Sequence, residues 1–89
     1  MRVYNSGMAS VPASLAPFFQ EYTFEKLNAE KDSHTIIERV LQYGNRSELR
    51  WLFSVYSKEQ VTEWVRQFGI EKLPQPHRTF WQVVLDING

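Results

Sequence analysis

Residues 35–69, TIIERVLQYGNRSELRWLFSVYSKEQVTEWVRQFG, constrain this chain more than any other stretch, because they read as three helices in succession with almost nothing between them. At about 100° per residue, Ile36, Ile37, Val40, Leu41 and Tyr43 fall on one broad arc, while Glu38, Arg39 and Gln42 fall on the other. Gly44 is a residue that can end this helix in the left-handed conformation, and Asn45 with Glu48 three residues later has the spacing of a capping box for the next. Leu49, Leu52, Phe53 and Tyr56 share a face of the second helix, but Trp51 and Val55 lie one turn apart on nearly the opposite side, so that helix is apolar on two faces. Ser57 and Gln60 repeat the capping-box spacing. Val61, Trp64, Val65 and Phe68 then form a single stripe that Gly69 is expected to close. Helices joined this tightly must fold back on one another.

The flanks are less regular. Residues 1–13 mix small and polar residues without periodicity and read as a flexible leader within which Met8 is an alternative start; residues 14–89 read as one helical domain. Ser14 is placed to cap a short helix that tolerates Pro17 only in its first turn, with Phe18 and Phe19 as anchors. Phe24 and Leu27 carry the chain onward, and Asn28 or Asp32 caps the helix that contains Ile36. After Gly69, Pro74 and Pro76 mark a loop. The last element, from His77 to Ile87, suits a helix by spacing and a buried strand by its β-branched and aromatic content. Helix is preferred, because no other segment offers a partner strand and a lone strand leaves its backbone unsatisfied.

The expectation is therefore an all-α fold, a single small domain of four to five short helices with tight joints. Its core is Ile37, Val40, Leu41, Leu49, Leu52, Phe53, Val61, Trp64, Val65, Phe68, Phe80 and Val84. With 89 residues, 43% of them apolar, such a domain buries about 60–65% of its unfolded surface. No internal repeat is present.

The same residues exclude much. Without cysteine there is no disulfide, thiolate metal site or thiol nucleophile. No apolar run approaches the roughly 18 residues needed to span a bilayer, and no signal peptide opens the chain, so a cytoplasmic protein without membrane attachment is expected. His34 and His77 are the only histidines. His34 has Glu38 one turn on, but two ligands make half a metal site, and no cofactor is expected. No serine sits in a G-x-S-x-G elbow, and the four glycines form no phosphate loop. The carboxylates Glu21, Glu25, Glu30 and Asp32 lie in a polar stretch that offers little burial to tune them. A non-enzymatic protein is the reading.

Ten basic and ten acidic side chains balance overall, and nearly so in each third of the chain. A helix-turn-helix outline over residues 47–68 nevertheless keeps DNA binding as an alternative, with Arg46, Arg50, Lys58 and Arg66 as its phosphate contacts. Glu59 and Glu63 share that surface and weaken it electrostatically. The preferred function is a protein-protein interaction module. Its patch is expected at the two faces that exceed the needs of the core: Trp51 with Val55, and Trp81 with Leu85 on the flank of a Phe80/Val84 ridge. Tryptophan is a frequent interface anchor; the simpler alternative is that the two faces cover each other.

Several blocks together resemble a family of small uncharacterised bacterial helical proteins. They are Phe24 to Leu27, Ile36 to Gly44, Leu49 to Leu52, Tyr56-Ser57 and Phe80-Trp81, spread over about residues 15–87. Ser57 departs from the glycine usual at that turn. Members of that family are often encoded beside nucleotidyltransferase-type toxins of the abortive-infection kind. The resemblance therefore implies an antitoxin or regulatory role with a toxin-like protein partner or through self-association, and it carries over no catalytic residue.

Overall fold

A computed structural model of the chain describes residues 11–87. In chain order it has two short 3-10 helices, Ala13–Phe19 and Phe24–Lys26, followed by α1 (Ser33–Tyr43), α2 (Arg46–Val55), α3 (Lys58–Lys72) and α4 (His77–Val84). There is no strand among the described residues. The fold is all-α, and the ambiguous last segment is a helix.

α1 is the central element: the first 3-10 helix, α2, α3 and α4 all pack on it. It can serve that role because Ile36, Ile37, Val40 and Leu41 are all buried and span an arc of about 140°. Each such side chain contributes about 1.5–3 kcal/mol when fully buried. Tyr43, expected on the same face, is half exposed and instead stacks on Phe18, ring centroids 5.0 Å apart and 9° from parallel. Arg39, on the polar side of α1, reaches back over the N-terminal segment. It donates to the Phe18 carbonyl and to both carboxylate oxygens of Glu21, and its guanidinium lies 5.4 Å from the Phe19 ring centroid. The hydrogen bond from Arg39 holds the Glu21 carboxyl below its usual range.

The joints show which sequence signals decided local structure. Asn45 and Glu48 form the full capping box, with Asn45 Oδ1 accepting from the Glu48 N–H at 2.9 Å and Glu48 Oε1 accepting from the Asn45 N–H at 2.8 Å. Ser57 Oγ accepts from the Gln60 N–H at 3.0 Å. Gly44 is extended rather than left-handed, at φ −69°. Its glycine requirement is steric, since a Cβ there would lie 2.6 Å from the Val40 carbonyl oxygen. Gly69 does not end its helix; α3 runs on to Lys72, with Gly69 buried inside it. Asp32 occupies the N-cap position of α1 without capping it, because its carboxylate accepts from the Asn28 N–H instead. Ser14 is likewise no cap. The first helix begins one residue earlier, Pro17 lies inside it, and the Ser14 hydroxyl donates to the Glu48 carboxylate.

Residues 1–10 of the expected leader lie outside the described residues. Residues 11–13 belong to the domain: Val11 packs on the core, and Ala13 opens the first helix. That core contains ten of the twelve expected side chains wholly or in part, with Leu49, Phe53 and Phe68 partly buried. It gains Leu15, Phe19, Ile36, Tyr56 and Leu73, and one charged group, Glu48, 4% exposed and fully partnered.

Phe80 and Val84, expected in the core, are exposed, and Trp81 and Leu85 take the buried positions. Both are i, i+4 pairs, so spacing does not choose between them. The structure resolves the choice through the Trp81 indole, whose N–H reaches the Leu41 carbonyl at 3.0 Å while its ring packs beside Phe53. α4 stops at Val84 rather than Ile87. Asp86 is left-handed at φ 57°, and the Asp86 and Ile87 amides bond back to the carbonyls of Val83 and Gln82, the pattern of a Schellman turn.

Candidate interaction surface

The four residues expected to form a partner patch do not form one. Trp81 and Leu85 are each 5% exposed and lie in the core. Trp51 and Val55 are partly buried against that core, and Trp51 meets Tyr56 edge-on at 6.4 Å. The two faces that exceeded a single contact are largely covered within the domain.

Inverting α4 creates a different surface. With Trp81 and Leu85 turned inward, Phe80, Val83 and Val84 point outward, 56%, 74% and 49% exposed. At 100° per residue these three, spaced i, i+3 and i+4, fill an arc of about 100° with no charged side chain among them. The helix beneath is well anchored. Phe80 sits edge-on to Trp81 at 5.0 Å and 86°, Trp81 is bonded to α1, and Arg78 donates to the Ile70 carbonyl of α3 at 3.1 Å. Other large exposed apolar side chains are Tyr22, Tyr43 and Ile70.

Arg46, Arg50, Lys58 and Arg66 are all exposed. Arg66 is paired with Glu63 at 3.1 Å, and Glu59 is exposed in the same helix. α2 and α3 have closer backbone contact with α1 than with each other.

His34 lies in the first turn of α1, as expected of a helix-start histidine, and its Nδ1 accepts from the Trp64 indole at 2.9 Å. That bond places the ring proton on Nε2. His34 from α1 and Trp64 and Phe68 from α3 line a groove between the two helices, with Glu63 and Gln60 also bordering it. His77 opens α4, and its Nδ1 is buried with no hydrogen-bond partner among the described residues. Among the described residues no three His, Asp or Glu side chains come together in a way that could hold a metal ion. No helix among them is long and apolar enough to cross a membrane.

The fold is thus that of a small all-α domain assembled around one central helix. The model of a family of unknown function, DUF6922, matches residues 15–65, more than half the chain, and the chain belongs to that family. The match takes in most of the first 3-10 helix, the second 3-10 helix, α1, α2 and the first half of α3; α4 lies beyond it. No curated protein and no solved structure matches the chain.

The outward face of α4 is the feature that sequence reasoning missed. No local signal pointed to it: a buried tryptophan needs an acceptor for its N–H, and the acceptor for Trp81 is the Leu41 carbonyl on another helix.

Proposed function

We propose that this chain is a non-enzymatic protein-interaction domain that meets its partner through the Phe80, Val83 and Val84 face of α4. The observation that carries this reading is a contiguous, uncharged apolar face on a helix fixed from behind by Trp81. Solvent-exposed apolar faces on ordered helices are a common form of protein contact site. The resemblance to small bacterial proteins encoded beside abortive-infection nucleotidyltransferases supports, as the proposed partner, a toxin of that type in the cytoplasm, with this chain as its antitoxin or regulator.

A second reading, duplex DNA held by Arg46, Arg50, Lys58 and Arg66, is supported by their exposure alone. It is weakened by Glu59 and Glu63 beside them and by the overall charge balance.

The test is co-expression of the tagged chain with a nucleotidyltransferase of the abortive-infection kind, followed by purification through the tag. The proposal expects a complex with the wild-type chain and its loss with Val83→Glu. Failure of the wild-type pair to co-purify, together with tight and salt-sensitive binding of duplex DNA, would overturn it in favour of the second reading.

A further inference from the structure

We draw no further inference here: the strongest candidate, the aromatic groove of His34, Trp64 and Phe68 between α1 and α3, has Trp64 buried in the core and its rim carboxylate, Glu63, already bonded to Arg66 and Gln67, so nothing in the structure shows what would occupy it.

Discussion

The indole Nε1 of Trp81 donates a 3.0 Å hydrogen bond to the main-chain carbonyl of Leu41, 40 residues earlier in the chain. Leu41 stands in the last turn of α1, where carbonyls lose their helical donors. The amide that would have served it, that of Asn45, is engaged by Glu48 Oε1 at 2.8 Å. The capping box that starts α2 therefore leaves the end of α1 to be satisfied by α4. The same device recurs at the end of α3, where Gln42 Nε2 donates to the Lys72 carbonyl at 2.6 Å and Arg78 donates to the Ile70 carbonyl.

Removing that donor while keeping most of the ring volume isolates its contribution. Trp81→Phe is expected to cost about 1–3 kcal/mol, the penalty of a buried carbonyl left without a partner. Trp81→Ala adds a cavity and should cost about 3–5 kcal/mol. Trp51→Ala should cost less than Trp81→Ala, since Trp51 is only partly buried and its side chain makes no hydrogen bond among the described residues. Urea unfolding of the three variants checks the ranking, and an equal loss at the two tryptophans would contradict it.

Glu48 ties three segments together, because its carboxylate accepts both from the Asn45 amide and from the Ser14 hydroxyl. Glu48→Ala is expected to cost about 2 kcal/mol, combining loss of the cap with an orphaned donor. Ser14→Ala alone should cost about 1 kcal/mol. In the double variant the two losses should fall short of their sum, and strict additivity in chemical denaturation would show that the Ser14 contact contributes nothing.

Gly44→Ala tests the steric reading of the α1–α2 joint. The new Cβ would press on the Val40 carbonyl at 2.6 Å and on Val40 Cγ1 at 2.8 Å, and backbone there cannot move without shifting α1. A loss of more than about 1 kcal/mol is expected. A neutral or stabilising result would mean that the joint relaxes freely.

Tyr56 gives the fold an alkaline limit. Its hydroxyl donates to the Ala29 carbonyl at 2.5 Å, and burial, with the Asp32 carboxylate adding to it, pushes the phenol well above its ordinary 10.0. The unfolded chain then releases this proton near pH 10 while the folded chain keeps it. The contribution is complete below that pH and falls above it by about 1.4 kcal/mol per pH unit until the folded phenol ionises. Unfolding free energies measured between about pH 8 and pH 11 should show this slope in the wild type and a shallower one in Tyr56→Phe.

Much of this fold was legible because capping chemistry and periodicity act locally. Asn45 with Glu48, Ser57 with Gln60 and the Ile36–Leu41 arc depend on neighbours within one or two turns, and each reads directly from spacing. The orientation of α4 was not legible in that way. Phe80/Val84 and Trp81/Leu85 have the same spacing and similar hydrophobicity, and the decision lay with a carbonyl on another helix. Gly69 misled for a related reason: a glycine buried inside a helix has the same one-letter appearance as a glycine that ends one. The interaction surface depended on that same undetermined rotation, so the reading of α4 exchanged its inward and outward faces.

The most direct test of the proposed function sets the stability of one variant against its binding. Val83 is 74% exposed, so Val83→Glu should leave urea unfolding of the isolated domain within about 0.5 kcal/mol of wild type. Sedimentation with the proposed partner, a nucleotidyltransferase of the abortive-infection kind, should show a complex for the wild type and separate species for the variant. A variant that keeps full stability and still sediments with its partner as wild type does would contradict the assignment of the α4 face.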